Sequence, residues 1–289
     1  NRFAESLIKG RGYVEARGAD WRLRTDLPKS ALDDVTKAIE FARAAIDQAF
    51  PGRPAAAGTE VTLILFKDEE EYRQLSAFDN LIPERAPVAG QYDPELRFIY
   101  SALGNQPVPI FARTMAHEAT HHFASLRLSE AHGRVPRWLG EGIAQYVECL
   151  KLSKPEKVRL DSLDRGTVAQ STAIVAPGGG ISGAWMYSKR VEEAFPNLEL
   201  NLARVDVEAM VDGRLDGQFF DERALTLYDV SWLLVHYLMN GDSGGHRDAF
   251  RAWVVEPSGE RNATTLAAAV GVPAAELKPR LRTYLAQIK

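Results

Sequence analysis

The sequence has little cysteine, no long hydrophobic run and no strong excess of either charge. A single cysteine among 289 residues excludes an internal disulfide and any zinc site built from several cysteines. Lys and Arg number 35 against 39 Asp and Glu, so no global positive field draws the chain to nucleic acid or anionic lipid. The apolar stretch 230–239 includes His236 and is shorter than the ~20 residues that a membrane span needs. We therefore expect neither a nucleic-acid partner nor a membrane span.

The rest of the composition is that of an ordinary folded protein. Hydrophobic residues make up 45% and charged residues 26%, with 22 Gly and 15 Pro, which excludes collagen-like, disordered and disulfide-scaffold classes. The sequence begins at Asn1 instead of Met, so we expect a processed or excised product. The compartment stays open, with export to the periplasm or extracellular space favoured over the cytoplasm. Nothing in the composition sets the oligomeric state.

Local patterns predict a small mixed sheet and one long covering helix in the first hundred residues. Alternating positions favour a hairpin of 12–17 and Trp21–Thr25. Ser30 is expected to cap a helix that runs to about Phe50, because apolar residues recur there at helical spacing. The other predicted elements are a strand over Val61–Phe66, a helix over 68–75, and a second hairpin of 88–92 and 97–101.

The middle and the end of the chain are predicted to be helical. One helix is expected from Pro109 to about Leu128, and another from Pro136 to about Leu152. Residues 161–183 are rich in Gly, Ser and Thr without periodicity, and are a candidate hinge or lid. Four or five helices follow, of which 225–239 is the most apolar. The chain is thus expected to be α+β, with a core over 1–152 and a helical lobe over 153–289 that completes a cleft.

The helix predicted from Pro109 contains the motif HExxH, formed by His117, Glu118 and His121. At about 100° per residue the two histidines lie roughly 40° apart, so both imidazoles can share one metal ion. Glu118 lies at the margin of that face, where it can accept a proton from water without being a ligand. The alternative is a surface helix with two histidines by accident. Chance produces the motif in roughly one such chain in a hundred.

A third ligand is expected from the next helix, in the segment WLGEGIAQY. Catalytic zinc sites usually have three protein ligands and one open position. Glu141 is flanked by Gly140, Gly142 and apolar residues instead of a charged face, which favours an inward carboxylate. Gly142 is expected to let this helix approach the histidine helix closely. The alternative is an exposed glutamate on an amphipathic helix.

The combination of HEATHH and WLGEGIAQY resembles the gluzincin metallopeptidases, and is most similar to their bacterial peptidase-MA-like branch. Segments before and between the predicted elements are similar to that branch as well, among them RTDLP, FKD and GQYDP. The resemblance covers residues 13–152 well and the remainder loosely. It implies a zincin-like fold, with Zn2+ held by His117, His121 and Glu141 and with Glu118 as general base.

The resemblance also implies a residue that donates to the oxyanion. In aminopeptidase-type gluzincins a tyrosine at the start of a later helix has this role, and Tyr228 in LYDVSWLL stands at a similar place. A partly buried core tyrosine is the alternative. His236, about 80° round the same helix, is a second candidate, although a packed histidine with one hydrogen bond is favoured.

Two features depart from the family pattern. Thermolysin-type enzymes have an aspartate four residues after the ligand glutamate, where this sequence has Gln145. The uncharged amide gives weaker support to a ligand histidine, or that support comes from another residue. The stretch by which aminopeptidases recognise a free amino terminus has no match, so nothing indicates an exopeptidase. His122 and Cys149 are expected to be structural.

We predict a zinc metallopeptidase, most plainly an endopeptidase, in which Glu118 activates a zinc-bound water. An extended peptide or protein substrate is expected to pair with strand 97–101 at the edge of the sheet. Two alternatives stay open: a zinc hydrolase that acts on a non-peptide amide or ester, and a catalytically silent zincin-like binding module. The presence of the base and of all three expected ligands favours an enzyme.

Overall fold

A mixed sheet with helices on both faces forms the first part of the chain, and the described residues after it are mainly helical. The computed structural model describes residues 12–51, 59–78, 90–128, 135–164, 191–221, 223–256 and 260–288. The strands are β1 (Val14–Arg17), β2 (Trp21–Thr25), β3 (Val61–Phe66), β4 (Gly90–Asp93) and β5 (Phe98–Ala102). The helices are α1 (Lys29–Ala49), α2 (Glu69–Phe78), α3 (Val108–Leu128), α4 (Arg137–Glu148), α5 (Val191–Arg204), α6 (Val207–Val211), α7 (Ala224–Asn240), α8 (Arg247–Val255), α9 (Ala263–Val270) and α10 (Ala274–Ile288).

The strands are ordered β1-β2-β3-β5-β4 across the sheet. The three middle strands are parallel, and each outer strand pairs antiparallel with its neighbour. Both predicted hairpins are confirmed, with Val14 opposite Thr25 and Gly90 opposite Ser101. The α+β class with a mixed amino-terminal sheet is therefore confirmed.

The strand expected to pair with a substrate is not an edge strand. β5 lies between β3 and β4 and pairs with both, so its backbone groups are already used within the sheet. The prediction that a substrate pairs with 97–101 is wrong, because the hairpin turns back and places β4 outside β5. Among the described strands β4 is the outermost at this side, and it contacts α3.

The sheet separates two apolar layers. Leu23, Leu63 and Ile99 face the layer shared with α1 and α3, whereas Ile64 and Tyr100 face Tyr72 of α2. This alternation follows from the two-residue period of a strand. The histidine helix α3 is therefore fixed against α1 and the sheet along its buried face.

Helix boundaries differ from the predicted ones at two places. α1 begins at Lys29 after Pro28, with no side-chain cap, so Ser30 is not a cap but lies within the first turn. The ring of Pro28 holds φ at -62° and its carbonyl accepts from Leu32, which starts the helix without Ser30. α4 ends at Glu148 instead of about Leu152, because Leu150 is extended and forms a bridge with Leu163.

The helical part after residue 152 packs on the same hydrophobic core as the sheet and α3. α4 lies between α3 and α7, and buried side chains continue from Trp21 to Leu285. Six helices follow residue 190 in the described chain, more than the predicted four or five. From residue 165 onward, the predicted hinge or lid lies outside the described residues. None of the described helices is long and apolar enough to cross a bilayer.

Candidate metal centre

Helix α3 places both motif histidines on one side. Pro109 lies in its first turn, where a missing N–H costs no helical hydrogen bond. His117 and His121 are one turn apart, with their Nε2 atoms 3.2 Å from each other. The opposite side of the helix is core, including Met115, Ala116 and Ala119. Burial of that side turns the two imidazoles toward α4.

Helix α4 brings a carboxylate to the same point. Glu141 Oε2 lies 3.5 Å from His117 Nε2 and 3.3 Å from His121 Nε2, and Glu141 is buried. The three residues form a group of ligand atoms that all lie within 4.8 Å of one another. The structure thus brings together the three residues that the sequence singles out as ligands.

The spacing of these atoms fits a small tetrahedral cation. Bonds of about 2.0–2.2 Å to a tetrahedral zinc ion place its ligand atoms roughly 3.3–3.6 Å apart. The pairwise separations here are 3.2, 3.3 and 3.5 Å. Two imidazoles and one carboxylate leave a fourth position for water or substrate, as in catalytic sites.

Glu118 is buried beside this group, under the edge strand. A Cβ added at Gly90 of β4 would lie 2.9 Å from Glu118 Cγ and 3.2 Å from Met115 Cε. The absence of a side chain at Gly90 therefore lets β4 pass directly over the carboxylate. This contact connects the sheet edge to the residue expected to act as base.

A second carboxylate of α4 supports His117. Glu148 Oε2 lies 3.0 Å from His117 Nδ1, so the ring N–H can donate there and leave Nε2 open for a ligand bond. Glu148 was not among the residues predicted from the sequence, which considered Gln145 for this role. The signal was present, because seven residues separate Glu148 from Glu141 and place both on one face of the helix.

Arg113 of α3 fixes the end of α4. Its guanidinium donates to the backbone carbonyls of Glu148 and Leu150, the first at 2.6 Å, and forms an ion pair with Asp164 at 2.6 Å. Carbonyls at the end of a helix have no partner within it, and a cation is favoured there. Arg113 therefore holds the backbone that carries Glu148.

The charges at the centre oppose the effect of burial. Burial alone would lower the pKa of His117, but the carboxylates of Glu141 and Glu148 raise it well above its ordinary value. Burial would raise the pKa of Glu141, yet His121 and His117 lower it strongly. Burial raises the pKa of Glu118. The neighbouring carboxylates thus favour a positive charge on His117, and a bound metal cation would supply positive charge at the same place.

Comparison with known proteins points to the same two helices. The family model "Protein of unknown function (DUF1570)" matches residues 111–176. No curated protein matches the chain. The matched segment covers less than half of the chain and includes all three ligand candidates and Glu118. The similarity thus concerns the part of the molecule in which the cluster lies.

Gly142 has a different neighbour from the expected one. A Cβ at this position would lie 2.7 Å from the carbonyl oxygen of Ser231 and 2.8 Å from Val235, both on α7. The expectation that Gly142 lets α4 approach the histidine helix is wrong. The glycine instead faces α7 and permits close contact with it, and α7 is the helix that carries Tyr228.

Tyr228 lies within the electrostatic reach of the centre. Burial and the charges of Glu141 and Glu118 raise the pKa of Tyr228 above its ordinary value, while Arg137 opposes this. Its ring packs on Phe219 with the centroids 5.6 Å apart. The phenol therefore keeps its proton at neutral pH and can donate it in a hydrogen bond. Its role toward an oxyanion stays a prediction.

Two other histidines and the cysteine have structural surroundings. His236 lies among Trp232, Tyr146 and Tyr284, and the Tyr284 hydroxyl is 2.7 Å from its Nδ1. This confirms the packed histidine with one hydrogen bond. His122 is buried with its Nδ1 3.1 Å from the Tyr92 hydroxyl, and Cys149 is a buried free thiol.

Proposed function

We propose that this protein is a zinc-dependent hydrolase of peptide bonds, of the gluzincin type. The observation that supports the proposal is the convergence of two imidazoles and one carboxylate at separations of 3.2–3.5 Å, with Glu118 beside them. The ligands would be His117, His121 and Glu141. A bound zinc ion supplies Lewis acidity, which makes water more acidic and polarises a substrate carbonyl.

The residues of the chain have separate roles in this proposal. Glu118 accepts the proton of the attacking water and passes it to the leaving amine. Tyr228, which stays protonated, donates a hydrogen bond to the oxygen on which negative charge develops. Glu148 orients His117 through Nδ1.

The outer strand β4 is the favoured place for an extended substrate. It is the last strand of the sheet and passes over Glu118 at Gly90. A peptide added to this edge would use its main chain for binding and lie beside the general base. This position replaces the strand expected from the sequence.

Metal analysis and one substitution test the proposal. Protein purified without a polyhistidine tag is expected to contain about one zinc per chain and to cleave members of a broad peptide library. Glu118→Gln is expected to keep the zinc and to lower hydrolysis by about 10²- to 10⁴-fold, because proton transfer is lost. Glu156→Gln, which neutralises an exposed carboxylate on a turn, is the matched control.

The outcomes separate the alternatives. Full activity of Glu118→Gln on every substrate would exclude its role as base. One zinc per chain without any peptide cleavage would favour the silent binding module, or a hydrolase of another amide or ester if such substrates are turned over.

A further inference from the structure

Arg137 lies beside the candidate metal centre, next to the carboxylate oxygen of Glu141 that does not face the histidines. It is the first residue of α4, and its Nε is 3.4 Å from Glu141 Oε1, whereas Glu141 Oε2 faces the two histidines. The side chain of Arg137 is 38% exposed, against 8% for Glu141. The guanidinium therefore connects a buried ligand candidate with solvent.

An aromatic ring packs on this guanidinium, and a carboxylate accepts from the backbone of the same residue. Its Cζ lies 4.3 Å from the centroid of the Phe220 ring. The backbone N–H of Arg137 donates to Asp216 Oδ1 at 3.2 Å. Phe220 is 69% exposed, the most exposed large apolar residue of the described chain, and its neighbour Phe219 packs on Tyr228. The pair Arg137–Phe220 is thus next to the candidate oxyanion donor.

The guanidinium keeps hydrogen-bonding capacity. Within the described chain, neither terminal nitrogen of Arg137 forms a hydrogen bond, and its only ion pair is made through Nε. The two terminal nitrogens of an arginine form a planar fork that matches the two oxygens of a carboxylate. A phosphate or a carbonyl can also accept from this fork, but a peptide substrate offers carboxylates.

We propose that Arg137 and Phe220 form a carboxylate-binding subsite of the substrate cleft, an inference that rests on the proposed peptidase function. The subsite selects peptides that present a carboxylate close to the cleaved bond. The carboxylate comes either from the carboxyl terminus or from an acidic side chain, since both have the same chemistry. Phe220 provides an apolar surface for the residue that bears it.

Matched peptides measure this selectivity. For a peptide that the protein cleaves, kcat/KM is compared between the free carboxyl terminus and the amide, and between Glu and Gln at positions flanking the cleaved bond. Loss of a charge-assisted hydrogen bond corresponds to about 10- to 100-fold, so the acid peptide is expected to be favoured by that factor. A preference that amidation removes assigns the terminus, and one for Glu over Gln that persists in amides assigns the side chain.

Substitution of the arginine then tests the source of the preference. In Arg137→Gln the acid-to-amide ratio is expected to fall to about one, and Arg137→Lys is expected to retain part of it. If Arg137 had only a structural role, the substitution would lower kcat/KM equally for both peptides and leave the ratio unchanged. Arg73→Gln, which removes the same charge from α2 on the opposite face of the sheet, is expected to keep the ratio. An unchanged ratio in Arg137→Gln overturns the proposal.

A binding measurement separates this proposal from the proposed function. Zinc-loaded Glu118→Gln protein is titrated with the acid and amide forms of one fluorescently labelled peptide. Tighter binding of the acid form, lost in the double variant with Arg137→Gln, is the expected result. Equal binding of both forms overturns the subsite, whatever the protein hydrolyses. Failure to cleave any peptide, with selective binding retained, counts against the peptidase function alone.

Discussion

Two histidines in different regions of this molecule are largely shielded from solvent and have very different neighbours. At the candidate metal centre His117 faces Glu141 and Glu148, and these carboxylates raise its pKa against the effect of burial. Between α7 and α10 His236 faces the rings of Trp232 and Tyr284, and burial lowers its pKa to about 4. Burial acts in the same direction in both places, so the neighbouring carboxylates make the difference. A buried histidine indicates a cation site only where buried negative charge accompanies it.

Loss of the Glu141 carboxylate is expected to have the largest effect on metal binding. Glu141→Ala is expected to weaken zinc binding by more than about 100-fold, beyond the loss typical of an outer-shell partner. Competition with a chromophoric chelator measures this affinity, with Glu156→Ala as the exposed control. If the variant still binds zinc tightly, the third ligand is another residue.

Loss of the Glu148 carboxylate is expected to weaken metal binding by a smaller factor. Glu148→Gln is expected to reduce zinc affinity by about 10- to 100-fold, because His117 Nδ1 loses its charged acceptor at 3.0 Å. Gln145→Ala on the same helix is expected to have little effect on the same chelator titration. The reverse order of the two variants would assign the supporting role to Gln145, as the family pattern suggests.

Titration of His236 is expected to make the stability of the protein depend on pH. The pKa of His236 is about 4 in the folded protein and about 6.5 when unfolded, so the unfolded chain takes up a proton first as the pH falls. Neutral His236 therefore contributes to the free energy of unfolding. The contribution is fully present above about pH 6.5 and is lost toward pH 4, with roughly 2 kcal/mol lost between pH 7 and pH 5.

The matched variant isolates that contribution. His236→Gln does not titrate and keeps an acceptor for Tyr284. Urea denaturation at pH 7 and pH 5 is expected to give a smaller pH dependence for the variant than for the native chain. An equal change in the free energy of unfolding for both proteins would mean that His236 is protonated at pH 5 in the folded protein.

Two glycines of α4 test the contact between the two regions. Gly142→Ala places a methyl group 2.7 Å from a backbone carbonyl of α7 and is expected to destabilise the protein by about 1–2 kcal/mol. Gly140→Ala meets no atom within 4 Å and is expected to stabilise the helix by up to about 1 kcal/mol. Thermal denaturation of both variants measures the opposite signs. A stabilised Gly142→Ala would show that α7 can move away without cost.

The features that the sequence predicts are those set by residues a few positions apart in the chain. The motif spacing placed His117 and His121 on one face, and a glutamate with apolar neighbours identified Glu141 as inward-facing. Both hairpins and the long helices followed from periodicity in the same way. These features depend on residues a few positions apart, so they need no knowledge of the sheet order.

The features that the sequence did not predict depend on contacts between distant segments. Which strand is outermost is set by the way the second hairpin docks on β3, although the more apolar composition of β5 (FIYSA) than of β4 (GQYD) agrees with β5 as the inner strand. The partner of Gly142 is α7, nearly ninety residues away in the chain. Glu148 is an exception, because its spacing from Glu141 could have identified it.

The brace formed by Arg113 has a thermodynamic consequence. Through Arg113, helix α3 binds the last carbonyls of α4, the helix that carries Glu141 and Glu148. Arg113 also binds Asp164, which lies beyond the end of α4. The carboxyl-terminal end of α4 cannot fray without removing acceptors from the partly buried guanidinium of Arg113. The centre therefore belongs to a single cooperative unit, in which the ligand geometry persists until the surrounding domain melts.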